Sequence, residues 1–141
     1  MITGILFDLD GVLLSTDQFH FQAWKALADR LGIPFDRHQG DQCRGVSRME
    51  SLEIVLENSS HPYTPEEKQQ FAAEKNHHYR TLLQELTPAD VPEETVRVLT
   101  ELRRRGYRLA LASGSKNAGL ILQKTGLGSL LDGVVDGTDI I

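Results

Sequence analysis

A single cysteine, Cys43, excludes an internal disulfide and suits a reducing compartment. No apolar run is long enough to span a membrane, and the apolar opening Met1–Phe7 is far too short. The N-terminus also lacks the charged-then-apolar layout of a signal peptide, so the reading is cytoplasmic. No broad basic stripe offsets the formal charge of −5, which argues against a nucleic-acid partner. A net negative surface repels phosphorylated ligands too, so any phosphate site must concentrate positive charge locally. Internal repeats and low-complexity segments are absent. With 40% apolar and 25% charged residues, the composition is that of a soluble globular protein, and 141 residues suit one domain or one domain with a small insertion.

What is present has a clear order. Ile2–Phe7 reads as a short buried strand that stops abruptly at Asp8-Leu9-Asp10-Gly11. From Asp17, Phe21, Trp24, Leu27, Ala28 and Leu31 recur at helical spacing, and Gly32 and Pro34 supply the stop. Residues 35–47 read as polar and irregular. A short helix is expected over 49–57 with Leu52, Val55 and Leu56 turned inward. Thr64-Pro65-Glu66-Glu67 is a helix start, with Thr as N-cap, Pro at the first position and Glu three residues after the cap. Its helix carries Phe71, Tyr79, Leu82, Leu83 and Leu86 on one side and ends near Thr87-Pro88. Then come a helix with Val96, Leu99 and Leu102 closed by Gly106, and a strand over 107–112. A helix directly after Ser113 runs to Gly126, and Val134-Val135 forms a third strand. This order predicts an α/β fold: a Rossmann-like parallel-sheet core, residues 1–15 and 88–141, with an inserted α-helical cap, residues 16–87.

Two segments carry chemistry. Asp8 and Asp10 follow a strand at once, which places them at the carboxyl edge of a parallel sheet, where open α/β folds build ligand sites. Two carboxylates that close need a cation or a shared proton, and oxygen ligands with phosphate chemistry suit magnesium. Gly11 permits the turn that follows. Alternatively the aspartates only satisfy backbone donors at a strand end. The second segment, Leu111–Asn117, ends a strand on a small hydroxyl residue before a helix N-terminus, an arrangement suited to phosphate. There Ser113 can donate to an oxygen, and Lys116 and Asn117 add charge and donors. Plain N-capping by Ser113 or Ser115 is the other reading. His77-His78 has no partner at metal-ligand spacing and reads as solvated surface, and Arg103-Arg104-Arg105 complements a helix dipole.

Taken together, Phe7-Asp8-Leu9-Asp10-Gly11-Val12 with Thr16, His20 and Trp24, then Gly45-Val46-Ser47-Arg48, Lys75-Asn76 and Ala110–Asn117, resemble the β-phosphoglucomutases of the haloacid dehalogenase-like superfamily. The similarity runs from residue 1 to about 136. The resemblance implies a magnesium-dependent enzyme interconverting β-glucose 1-phosphate and glucose 6-phosphate through an aspartyl phosphate at Asp8, with glucose 1,6-bisphosphate as partner. Asp8 also binds Mg2+, and Asp10 acts as acid/base with its backbone carbonyl on the metal. Ser113, with Gly114 beside it, matches the residue that holds the transferring phosphate. Arg48, Ser115, Lys116 and Asn117 match the site for the phosphate that does not react. Thr16, His20 and Lys75 match residues that couple substrate engagement to the acid/base aspartate. Trp24, Gly45, Val46 and Ser51 match the cap side. Without the family, His20 reads as a packed surface histidine and Trp24 as core.

The family also carries a third-motif lysine, typically followed by proline, and a fourth-motif acidic pair that completes the metal site. Neither is found in this chain, whose late carboxylates Asp136 and Asp139 match neither motif. Losing one preorganised charge partner costs on the order of 10²–10³ in rate. The family places the first strand centrally, so without a fourth strand its edge and apolar side are exposed and invite pairing with another chain. A 141-residue product is therefore expected to be marginally stable or self-associating and a weak catalyst. Two other functions stand beside the mutase: a phosphatase of the same superfamily acting on small phosphate esters, and a non-catalytic fragment that only binds phosphosugars.

Overall fold

Three parallel strands frame one part of the chain: β1 (Gly4–Phe7), β2 (Arg108–Ala112) and β3 (Gly133–Val135), in the order β1-β2-β3. The structure, a computed structural model, describes residues 1–138; Asp139 lies outside them. Phe7 stands opposite Leu111, and Leu111 opposite Val134. The helices α1 (Asp17–Leu31), α2 (Arg37–Gln42), α3 (Arg48–Leu56) and α4 (Pro65–Leu83) are inserted between β1 and β2. A 3-10 turn at Pro88–Asp90 and α5 (Glu93–Arg104) precede β2, and α6 (Ala118–Thr125) links β2 to β3. The architecture is α/β and Rossmann-like, with one short strand for each predicted one. No helix among the described residues is long and apolar enough to cross a membrane.

The chain forms two compact units, Met1–Thr16 with Leu83–Ile141, and Asp17–Leu82. In the first, Leu9, Leu99, Leu109, Leu111, Ile121 and Leu127 are fully or almost fully buried. The second is organised around Trp24, Leu27, Ala28, Leu52, Val55 and Phe71.

The start and stop residues act as their chemistry dictates. Thr64 accepts from the Glu67 N–H at 3.1 Å while Glu67 accepts from the Thr64 N–H at 3.0 Å, closing a capping box on α4. Gly126 ends α6 in the left-handed region at φ 74°, which an L side chain rarely adopts. β3 is only three residues long, yet it is pinned before it starts. The Asp132 N–H donates to the Leu109 carbonyl at 2.6 Å, and the Leu109 N–H donates back to Asp132 Oδ2 at 2.7 Å. That hydrogen bond, with Arg103 3.2 Å from the other oxygen, holds the Asp132 carboxyl below its usual range.

Four expectations need correction. The stretch 35–47 is not irregular throughout, because Asp36 and Gln39 close a capping box that starts α2. The helix after β2 begins at Ala118 rather than directly after Ser113, since two serine turns intervene. β1 is not a buried strand: Leu6 is 67% exposed, because β1 pairs on one side only among the described residues. Val96 does not face inward on α5 but is 40% exposed, and Leu99 alone of that stripe is fully buried.

Gly40 explains how so short a helix as α2 keeps its place. A Cβ there would collide with the Phe21 ring, 2.9 Å from Cε2 and closer still to Cδ2. The ring cannot easily retreat, with the Arg37 guanidinium 4.2 Å over it and Phe35 stacked at 5.7 Å. Helix propensity favours Ala over Gly by about 1 kcal/mol, whereas overpacking costs about 1–3 kcal/mol. The collision therefore wins, and Gly40→Ala is expected to lower the urea midpoint of unfolding. A raised midpoint would mean that Phe21 does not hold α2.

Candidate active site

The residues singled out from the sequence fall into two sets, one in each unit. The first begins where β1 ends. Phe7 is opposite Leu111, so Asp8 and Ser113 leave adjacent parallel strands at the same edge, about 5 Å apart in the direction of strand pairing. Leu9 is fully buried and anchors the turn, accepting from the Leu13 N–H at 3.0 Å. Gly11, at φ 78°, donates to the Leu14 carbonyl at 2.8 Å, and a side chain at that φ would be strained. The chain thereby doubles back and brings Thr16 to Asp10.

The two carboxylates now have different surroundings. Asp8 is exposed, and its Oδ1 accepts from the Leu9 N–H at 2.8 Å. Asp10 is half-buried, and its Oδ1 accepts twice from Thr16: from the hydroxyl at 2.8 Å and from the N–H at 3.3 Å. Thr16 is itself 1% exposed, so this grip is a fixed one. Asp8 can meet an incoming group while Asp10 is held in one orientation.

After β2 the chain makes two successive serine turns. Ser113 Oγ accepts from the Ser115 N–H at 3.2 Å, and Ser115 Oγ from the Asn117 N–H at 3.1 Å. Each hydroxyl thus uses a lone pair locally and keeps its proton for another acceptor. Asn117 is buried, Lys116 and Gly114 are exposed, and Ser113 and Ser115 lie between. Ser113 is tied to the next strand through its N–H to the Val135 carbonyl at 3.0 Å.

The second set is cationic. Lys75 is 4% exposed, with its Nζ 2.8 Å from His20 Nδ1 and over the rings of Trp24 (4.8 Å) and Tyr79 (4.6 Å). His20 stacks on Tyr79 with ring centroids 4.0 Å apart. Arg48, at the start of α3, donates to Asn76 Oδ1 at 3.1 Å. Burial first, then the positive charge of Arg48, pushes the Lys75 amine down to about 7. Burial, then Lys75 and Arg48, pushes His20 down to about 3, so its neutral imidazole accepts from the ammonium. Partial desolvation lowers Arg48 as well. Trp24 lies in the core of this unit, 2% exposed. Ser51 is buried and donates to the Cys43 carbonyl at 3.3 Å, while Gly45 and Val46 are exposed.

Sequence reasoning overlooked Tyr79 as part of this set, although the spacing holds the signal. Trp24 is four residues after His20 on α1, and Tyr79 four after Lys75 on α4, so each pair shares a helix face. It also overlooked Asn76 as the partner of Arg48.

Hard oxygen donors at Asp8 and at the Asp10 carbonyl suit Mg2+, which binds through one or two carboxylates and keeps several waters. Among the described residues no group of three His, Cys, Asp or Glu side chains could hold a metal. The donor set therefore fits a magnesium ion that retains water, not a closed all-protein cage.

Residues 2–141 match the haloacid dehalogenase-like hydrolase family. The β-phosphoglucomutase of Bacillus subtilis (strain 168) is 38% identical over 139 residues, covering 97% of this chain and 62% of that protein. The β-phosphoglucomutase of Mycobacterium bovis is 29% identical over 161 residues, covering 99% and 61%. The crystal structure of β-phosphoglucomutase from Clostridium difficile aligns with a TM-score of 0.86 at 36% identity, covering 98% of this chain and 63% of that one. The chain thus spans about three-fifths of the length of the curated relatives it matches.

Proposed function

Because the chain belongs to the haloacid dehalogenase-like hydrolase family, we propose that it carries the nucleophile and the acid/base of a phosphosugar mutase. Asp8 attacks the phosphorus of a sugar bisphosphate, the bond from phosphorus to the sugar oxygen breaks, and an aspartyl phosphate forms. Asp10, entering as the acid, gives its proton to the leaving sugar oxygen. In the return step the Asp10 carboxylate takes the proton of the second hydroxyl, whose oxygen attacks phosphorus and frees Asp8. The observation that carries this reading is the asymmetry of the pair: an exposed Asp8 beside the Ser113 loop, and an Asp10 held by Thr16. General acid/base help of this kind is worth roughly 10²–10⁴ in rate. Asp8 and the Asp10 carbonyl would hold Mg2+, which supplies charge neutralisation for the transferred group.

The Ser113 hydroxyl and the Gly114 N–H bind the transferring phosphate in this reading. Arg48, Ser115, Lys116 and Asn117 serve the other phosphate. Among the described residues no carboxylate pairs with Lys75, which supports an anionic ligand on the helical unit. In this reading Thr16 orients Asp10, His20 and Lys75 serve the ligand of the helical unit, and the exposed Gly45 and Val46 meet the sugar while the buried Trp24 and Ser51 support that side from within. Residues 1–15 with 88–141 are the core domain and residues 16–87 the inserted cap, a division supported by the two compact units.

The sugar is glucose by similarity to the Bacillus subtilis relative. The test is incubation with Mg2+, β-glucose 1-phosphate and catalytic glucose 1,6-bisphosphate, followed by ³¹P NMR. Glucose 6-phosphate as the main product supports the mutase. A second reading, phosphatase, has the family's hydrolase description and the solvent-exposed Asp8 in its favour. Inorganic phosphate exceeding isomerised sugar would select it. Binding of the sugar phosphate without turnover would leave a non-catalytic phosphosugar binder.

A further inference from the structure

The turn that carries Ser113 and Ser115 is not held by its own residues alone. It lies between β2 and α6 and is contacted by the segment that leaves β3. The Ser113 N–H donates to the Val135 carbonyl at 3.0 Å, and the Gly137 N–H donates to the Ser115 carbonyl at 3.0 Å. One backbone bond therefore lies on each side of Gly114. Gly137 is buried, and a Cβ there would stand 2.8 Å from the Lys116 nitrogen, 2.9 Å from Lys116 Cγ, and closer still to the Gly114 carbonyl oxygen. Two of these three atoms are backbone, so no side-chain rotation relieves the collision. Its φ is not in the left-handed region, so the constraint is space rather than conformation. Asp136 Oδ1 accepts from the Thr138 N–H at 2.8 Å and from the Thr138 hydroxyl, which fixes the turn on which Gly137 sits.

We infer that Gly137 is a positioning residue for phosphate binding: the β3 exit is a strap that sets the Gly114 and Lys116 amides and the Ser113 and Ser115 hydroxyls in the orientation an anion needs. The inference rests on the reading of that loop as a phosphate site. A donor set binds an anion well only when its N–H and O–H groups are already aimed at one point, because reorientation costs affinity. The strap does this from behind through two backbone bonds and one close packing contact.

The test compares Gly137→Ala with Gly128→Ala, where a Cβ meets only Leu122 at an ordinary 3.8 Å. Inorganic phosphate is titrated into each variant by calorimetry, with thermal melting as the control for folding. Gly137→Ala is expected to weaken phosphate by about tenfold, the loss of roughly one hydrogen bond to a charged group. Its melting transition should stay cooperative, and Gly128→Ala should bind as the unmodified chain does. Unchanged affinity in a folded Gly137→Ala overturns the inference. Should that variant fail to fold, Thr138→Val decides, since it keeps the glycine and removes the hydroxyl bond to Asp136. Weaker binding there supports the strap and unaltered binding overturns it. If the unmodified chain binds no phosphate, the site reading fails. The strap is then judged on the amide resonances of Ser113–Lys116, which must shift in Gly137→Ala and not in Gly128→Ala.

Discussion

Asp8→Asn is expected to abolish phosphoryl transfer, with a fall of at least about 10³-fold, because a neutral amide oxygen cannot replace the attacking carboxylate. The fold should survive, since Asp8 is exposed and its one hydrogen bond, from the Leu9 N–H, can be kept by an amide oxygen. Asp10→Asn should behave differently. It loses the proton that the leaving sugar oxygen needs, a deficit of roughly 10²–10⁴. A donor whose leaving group departs without a proton, such as acetyl phosphate, should still label Asp8 in that variant. Acid-quenched protein analysed by mass spectrometry reads the label directly, and hydroxylamine, which cleaves acyl phosphates, should release it as inorganic phosphate and leave an Asp8 hydroxamate. Turnover retained in Asp8→Asn, or loss of labelling in Asp10→Asn, would reverse the assignment of roles.

The second large effect concerns the buried cation. Lys75 has its pKa depressed from 10.5 to about 7 in the folded chain. Between those values the unfolded chain holds a proton that the folded chain has released, so the Lys75 contribution to stability rises with pH across that window. Below about 7 both states are protonated and the folded state bears the full cost of the buried charge. His20, depressed from 6.5 to about 3, acts in the same sense over its own window, so stability falls as pH drops through it. Lys75→Met keeps the chain length and removes the charge. It is expected to raise stability near neutral pH by up to roughly 3–5 kcal/mol, less about 1–3 kcal/mol for the donor that His20 Nδ1 loses, and the pH-dependent part should vanish toward pH 10.5. Urea midpoints of both proteins across that range give the difference curve. A flat difference would show that Lys75 has the same pKa in the folded and unfolded chains, so that its charge enters the folded state at no cost. The same substitution should weaken sugar-phosphate binding, which is why a side chain so costly to bury would be retained.

Much of this chain announces itself locally. The Asp8-Leu9-Asp10-Gly11 segment is legible because a strand, two carboxylates and a turn glycine are contiguous, and the Thr64–Glu67 box because both partners lie within one helical turn. Gly32, Gly106 and Gly126 likewise close helices by backbone conformation alone. What escaped depends on partners distant in sequence. α2 carries no buried residue and includes a glycine, so neither periodicity nor propensity marks it; only Phe21, from another helix, makes that glycine necessary. The exposure of Leu6 depends on which strands flank β1, and no residue within β1 records that. The cage around Lys75 draws on α1 and α4 together, and from either helix alone it reads as an ordinary apolar face with one lysine. Gly137 gains its meaning from Gly114 and Lys116, more than twenty residues earlier.

β3 has a property that follows from being fastened at both ends. Three residues with a two-fold side-chain period can barely define their own register. Here Asp132 sets it from one side through Leu109, and Ser113 from the other through Val135. Both fastenings run through backbone atoms or through residues outside the strand. Val134 and Val135, which are 42% and 55% exposed, are therefore placed without being read. Sequence drift at these two positions is expected to leave the Ser113 turn where it is, whereas a change at Asp132 frees the strand to slide and to carry that turn with it.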